Sequence, residues 1–270
     1  MTVHADRHAE FERLELRRTG SVVEVVLCRP DLVNRFDELL HNELAAAFAT
    51  LAEDSSVLAV VLSSTGRYFS AGGDTDTMVR ASGELAYRFT MIDRGRQLFR
   101  TVADFPKPLI VALHGDVYGL GASIILLADA IVVAPEVKIA DTHVQMGLVA
   151  GDGGCVAWPM NVSMVRAKRH LLTGDPIAGA LAYQLGLVSD LVETPDEVAP
   201  RALEIARQIA KLPPVAVQLT KRALNKQVSA RAEDVLDLAF YLEALTFGTD
   251  DLQEAIRAFK DKRPGNWTGR

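Results

Sequence analysis

The sequence predicts an α/β fold in which units of strand, strand and helix repeat through most of the chain and then give way to a helical C-terminal region. Three observations predict it. Short β-branched runs come in pairs, an amphipathic stretch follows each pair, and from about Leu185 onward the apolar spacing is almost wholly helical. The chain has 270 residues, 49% of them apolar and 24% charged, with 19 glycines and 11 prolines spread along it. That is the composition of an ordered protein able to bury one large core.

"FERLELRR" (11–18) and "VVEVVLC" (22–28) read as strands joined by the turn "TGS". "FDELLHNELAAAFATLAEDS" (36–55) reads as a helix, with Leu39, Leu40, Leu44 and Phe48 on one apolar face; "VLAVVLSS" (57–64) is the next strand. A second helix covers "LAYRFTMIDRGRQLFRTVADF" (85–105) and stops before "PKP", which introduces the apolar run "LIVALHG" (109–115). A helix over "ASIILLADA" (122–130) then leads into the extended run "IVVAPEVKIAD" (131–141). The division expected is a core over 12–198 and a helical region over 199–270, the latter interrupted by Pro213 and Pro214. Val235, Leu238, Leu242 and Leu245 recur there at helical spacing and need a surface to pack against, on the core or on another subunit.

Several function classes are disfavoured. The formal net charge is −6 and no basic stripe is present, which argues against a nucleic-acid partner. Neither GxGxxG at a strand-to-helix turn nor GxxxxGK[ST] occurs, so the common phosphate-binding fingerprints are absent. Cys28 and Cys155 are too few for a disulfide framework and have no metal-ligand spacing; no metal and no tightly bound cofactor is expected. "MTVHADRHAE" lacks the apolar core of a signal peptide, and no apolar run approaches the roughly 20 residues needed to span a bilayer. A soluble, cytoplasmic protein without membrane insertion is the expectation.

Two loops invite a chemical reading. In "GRYFSAGGDTDTM", Ser70, Ala71, Gly72 and Gly73 follow a hydrophobic strand, and small residues let a ligand approach the backbone. In "LHGDVYGLGASIILLADA", Gly119, Leu120, Gly121 and Ala122 feed a helix start, whose free amides stabilise negative charge. One amide from each loop would hold the oxygen of an enolate or tetrahedral intermediate. Asp74 at the end of the first loop reads as a brace for local amides. "IADTHVQMGLVAGDGGCVAWP" adds His143, able to exchange a proton near neutral pH, and Asp152, which the intervening segment can return to the same pocket to orient it. Glu243 in "YLEALTFG" is a candidate to orient His143, Trp158 and Met160 to line a pocket; His41 reads as packing or surface structure.

With "RPDLVNRFDELLHNEL", "FSAGGD", "KPLIVALHGDVYGLGASIILLADA", "GLVAGDGG" and "LLTGDPIAGALAYQLGLVSDLV", the chain resembles the enoyl-CoA hydratase/isomerase, or crotonase, superfamily from about residue 12 onward. The resemblance implies a crotonase-like spiral of ββα units, a helical trimerisation region, and assembly as a homotrimer or a dimer of trimers. It also implies an acyl-CoA substrate, with CoA present as part of that substrate. The amides of Gly73 and Leu120 would form the thioester oxyanion hole, and Ser70 to Gly73 would help bind CoA. Leu120 stands where the family usually has glycine; it keeps the N–H but adds a side chain. Arg29, Pro30 and Asn34 match a loop bordering the CoA site, and Lys260, Lys262 and Arg263 are candidates to meet its phosphates.

Hydratases of the superfamily use two glutamates, and Ser123 and His143 stand at those positions here. Ser123 reads as a helix cap or a substrate contact. The expected function is therefore oxyanion-stabilised enolate chemistry on an acyl-CoA thioester, with His143 moving a proton or activating water. Two alternatives stand beside it. The spacing of His143 and Asp152 resembles the β-diketone hydrolase branch typified by 6-oxocamphor hydrolase, which implies retro-Claisen cleavage of a small β-dicarbonyl substrate without CoA. A noncatalytic acyl-CoA-binding or assembly subunit is the third reading.

Overall fold

A computed structural model describes residues 11–270. Strands β1 (Leu14–Thr19) and β2 (Val22–Leu27) form a hairpin, followed by α1 (Glu38–Glu53), β3 (Ala59–Ser64), β4 (Tyr68–Ser70), α2 (Thr75–Gly83) and α3 (Leu85–Ala103). Next come β5 (Leu109–Leu113), β6 (Asp116–Tyr118), α4 (Leu120–Ile125), β7 (Ala130–Val133) and β8 (Lys138–Ala140). The chain continues through α5 (Gly154–Asn161), α6 (Met164–Thr173), β9 (Ile177–Ala178), α7 (Gly179–Leu185) and β10 (Asp190–Leu191). Three helices complete it: α8 (Pro195–Ala210), α9 (Pro214–Thr246) and α10 (Asp250–Asp261).

The paired strands separate into two sheets. One has the order β1, β2, β3, β5, β7, β10 and the other β4, β6, β8, β9. After the β1–β2 hairpin, which lies wholly in the larger sheet, the units β3/β4, β5/β6 and β7/β8 each add one strand to each sheet in parallel register: Val60 lies beside Leu109, Ile110 beside Ala130, and Val117 beside Ile139. This spiral explains the continuous apolar runs. The strands of the larger sheet are covered on both faces, so Val22, Val23, Val25, Val26 and Leu27 are all buried. The first helix starts later than its apolar pattern. Phe36 pairs with Gly73, and Asp37 caps the helix by accepting from the Leu40 amide at 2.8 Å. "ASIILLADA" is helical only through Ile125, because Ala130 already belongs to β7, and "IVVAPEVKIAD" divides between β7 and β8.

The boundary expected at 198/199 falls inside α8. Val198, Ala202 and Ala206 are buried in the main core, and α8 lies against β3 and β5, so this helix belongs to the body of the fold. Pro213 caps and Pro214 begins α9, as the proline break predicts. Helix α9 buries Leu236, Ala239, Phe240, Glu243 and Ala244. Lys221, near its start, crosses to the core and donates to the Lys107 carbonyl at 2.8 Å and to Asp129 at 2.6 Å. Leu238, Leu242 and Leu245 face outward, 60%, 43% and 71% exposed, while Val235 packs partly on the core. Among the described residues no helix is long and apolar enough to cross a membrane.

Candidate active site

The first loop follows β4. Gly72 adopts φ 83°, and a Cβ there would stand 2.7 Å from the Tyr118 carbonyl oxygen, so glycine is required for the two loops to meet. Ser70 is wholly buried; its hydroxyl donates to the Asn34 carbonyl at 2.8 Å and accepts from the Gly72 amide at 3.2 Å. It braces the loop rather than facing a substrate. Asn34 accepts from the Arg29 amide and donates to the Thr65 and Tyr68 carbonyls, so it too is a brace. Asp74 caps α2 by accepting from the Asp76 amide at 3.1 Å, as its position predicts.

The second loop places Leu120 at the first turn of α4, directly after Gly119. Among the described residues, neither the Gly73 nor the Leu120 amide has a hydrogen-bond acceptor. Both residues line one cavity of about 60 Å³, together with Phe36, His41, His143, Asp152 and Glu243. The cavity adjoins a passage of about 110 Å³ bordered by Ala71, Gly72, Thr142 and Phe259. That passage leads to a wider cleft of about 550 Å³ lined by Tyr68, Tyr118, Arg263 and Trp267. Arg263 is paired with Glu254 at 2.6 Å; neither Lys260 nor Lys262 lines the cleft.

His143 opens a short 3₁₀ turn after β8 and is gripped from both sides. Its Nδ1 lies 2.7 Å from Asp141 and its Nε2 lies 3.0 Å from Asp152. The other Asp152 oxygen accepts from the Ser123 hydroxyl at 3.0 Å. Burial opposes a charged ring, but Asp152 and Asp141 outweigh it and hold the His143 pKa well above its ordinary value. Burial likewise opposes the Asp152 carboxylate, and the adjacent imidazolium prevails, lowering its pKa. Nδ1 is hydrogen-bonded to Asp141, and Nε2 lies within ion-pair distance of Asp152. The three side chains offer ligand atoms within 4.8 Å of one another, but the imidazole stands between the carboxylates, with each nitrogen committed to one of them.

Glu243 reaches the same cavity from α9. It is 6% exposed, and among the described residues its carboxyl has neither an ion-pair nor a hydrogen-bond partner; it does not bond to His143, contrary to the orienting role expected of it. Burial, reinforced by the Asp152 charge, raises its pKa well above the carboxylate range. Gly151 makes room for it, since a Cβ there would come within 2.7 Å of its Oε2.

Three other expectations change. Trp158 is fully buried on the far side of α5, stacked on His170 at 6.2 Å, and does not line the cavity. Ser123 neither caps its helix nor faces the ligand space, because its hydroxyl is committed to Asp152. His41 does line the cavity, packed edge-on against Phe36, with burial lowering its pKa. Asp141 escaped the sequence reading altogether, although an aspartate two residues before a histidine was the available signal.

Comparison with known proteins agrees with this architecture. The sequence profile of the enoyl-CoA hydratase/isomerase family matches residues 17–270. The short-chain-enoyl-CoA hydratase of Clostridium acetobutylicum is 31% identical over 94% of this chain and 97% of its own length. The 2,3-dehydroadipyl-CoA hydratase of Escherichia coli is also 31% identical, over 96% of this chain and 100% of its own. A crystal structure of an enoyl-CoA hydratase/isomerase from Mycobacterium paratuberculosis superimposes with a TM-score of 0.87 at 34% identity, covering 91% of this chain and 97% of that one.

Proposed function

The chain belongs to the enoyl-CoA hydratase/isomerase family, and on that premise we propose that it acts on an acyl-CoA thioester by stabilising an enolate-like oxygen. The observation that carries this reading is the pair of unengaged amides, Gly73 and Leu120, lining the cavity that holds His143 and Asp152. Donors fixed in place before reaction stabilise oxygen charge as it develops, and in a buried site they act with little competition from water. Relatives named for CoA thioesters, and the passage and cleft beyond Gly72, support the same substrate class. The thioester would sit at the amides, with the rest of CoA extending past Ala71 into the cleft.

The proton is handled by the pair formed by Asp152 and His143. With Asp141 on Nδ1 and Asp152 beside Nε2, Asp152 is the member of the pair that acts as proton acceptor, its ionised form favoured by the neighbouring His143. Ser123 fixes the second Asp152 oxygen. Titration calorimetry tests the substrate class: an acyl-CoA should bind at least about tenfold tighter than the matching free acid, a difference of about 1.4 kcal/mol. Equal affinities would refute it.

The contact of Asp152 with His143 at 3.0 Å favours a second reading, hydrolytic cleavage of a β-diketone that carries no CoA. There the pair would activate water, and turnover of β-diketones lost in His143→Ala would support it. For assembly, the outward stripe of Leu238, Leu242 and Leu245 fits a homotrimer, alone or paired into a dimer of trimers. Sedimentation equilibrium should report a trimer or its multiple, and a persistent monomer would refute this.

A further inference from the structure

The acyl cavity contains a polar group that the oxyanion chemistry does not use. Glu243 is a carboxyl in an apolar stretch of α9: flanked by Phe240, Ala239 and Ala244, it is 6% exposed, with its carboxyl unpartnered among the described residues. With no protein partner and its place in the cavity wall, this carboxyl is available to pair with a ligand atom there. The cavity wall it belongs to also carries Phe36, Ile92, Leu120, Leu148 and Phe247, which suit a short carbon chain. A volume of about 60 Å³ admits only a few water-sized groups.

The charged and titratable groups around Glu243 decide its state. Asp152 before α5 and Asp141 after β8 disfavour a further negative charge; His143 between them opposes that effect, and His41 on α1 is held neutral by burial. A neutral carboxyl offers an O–H donor, whereas the same side chain ionised would offer only acceptors. The backbone is shaped for its entry. A Cβ on Gly151 would lie 2.6 Å from the Glu243 Cβ and would also strike the Ala239 carbonyl oxygen.

We propose that Glu243 is a specificity-determining residue that donates a hydrogen bond to a second oxygen on the acyl group, so that the site selects an oxygenated short-chain acyl-CoA, such as a 3-oxoacyl thioester, over its plain alkyl counterpart. The inference rests on the acyl-CoA reading above. An alkyl chain would leave the buried donor unpaired, and a site built around a hydrogen bond discriminates strongly against a ligand that lacks the matching atom. No bond is made or broken at Glu243 in this role.

The test compares 3-oxobutanoyl-CoA with butanoyl-CoA by titration calorimetry on the full chain. Wild type should bind the oxygenated thioester at least about tenfold more tightly. Glu243→Gln, whose amide still donates, should keep most of that preference, and Glu243→Leu should abolish it while butanoyl-CoA still binds. Circular dichroism checks the fold of each variant, and Glu243→Met replaces Glu243→Leu should the latter not fold. Equal affinity of wild type for the two thioesters would overturn the inference alone, as would a preference that persists in Glu243→Leu or Glu243→Met. Failure of wild type to bind either thioester would overturn the acyl-CoA reading, and this inference with it.

Discussion

The two halves of the candidate site are made by opposite means. The amide half, at Gly73 and Leu120, is built from backbone and depends on side chains being small or absent nearby. The acid half, comprising Asp141, His143, Asp152, Ser123 and Glu243, is built from side chains brought together from four separate segments. A backbone donor tolerates a change of residue at its own position, so Leu120 can replace the usual glycine and leave the donor in place. A side-chain cluster does not tolerate such change. Its charges set one another's protonation, and each member acts through its neighbours.

The largest expected effect follows from that contrast. Asp152→Asn or His143→Ala should lower turnover by about 10²- to 10⁴-fold, the range for loss of a positioned acid or base. Leu120→Gly, which keeps the amide, should stay within about tenfold of wild type. Steady-state kinetics on an acyl-CoA turned over by wild type reads both, and equal losses would break the contrast. The amide half should fail instead through its geometry: Gly72→Ala forces a left-handed φ on alanine and a clash with Tyr118, with an expected loss of about 1–3 kcal/mol in chemical denaturation.

Protonation sharpens the comparison further. Glu243 ionises in the unfolded chain near its ordinary value but stays neutral in the fold, so its burial costs stability above the unfolded pKa. That cost grows as pH rises, by up to about 1.4 kcal/mol per unit, until pH passes its raised folded value. Glu243→Gln should therefore gain stability over wild type increasingly as pH rises above the ordinary carboxylate range, read from urea midpoints. His143 has the opposite sign: its raised folded pKa contributes stability that is full below the unfolded value and is lost as pH rises through the folded one. Asp152, with a lowered pKa, contributes above its unfolded value and loses that contribution as pH falls through the folded one. The smallest effect is expected of Ser123→Ala, about 1 kcal/mol for one hydrogen bond to a carboxylate that keeps its other partner.

The same division governs what could be read from sequence. The amide loops were legible because their small residues are contiguous and sit where a strand run meets a helix run, so local rules locate them. The sheets were legible in part: apolar runs marked most strands of the larger sheet, but β4 and β6 are three-residue strands within the segments read as loops, and the sorting of the later pairs into two sheets is a long-range outcome. The acid half was legible only where chain spacing or family resemblance pointed, as with His143 and Asp152. Asp141 was missed despite lying two residues from His143, because only its burial and direction reveal the second grip on the ring. Trp158 was misplaced because residue type does not say which side of a short helix faces the cavity. Position 198/199 lies within α8, which has helical spacing like the tail but packs on the larger sheet.

In the proposed reaction the Gly73 and Leu120 amides and the pair of Asp152 and His143 jointly generate an enolate from a bound acyl-CoA. Nuclear magnetic resonance of an acyl-CoA in deuterated water measures this directly through loss of the signal of the hydrogens next to the thioester carbonyl. Wild type is predicted to catalyse that exchange, with Asp152→Asn binding the thioester but exchanging at least about a hundredfold more slowly. A thioester that binds wild type yet keeps its hydrogens at the uncatalysed rate would contradict enolate formation at this site.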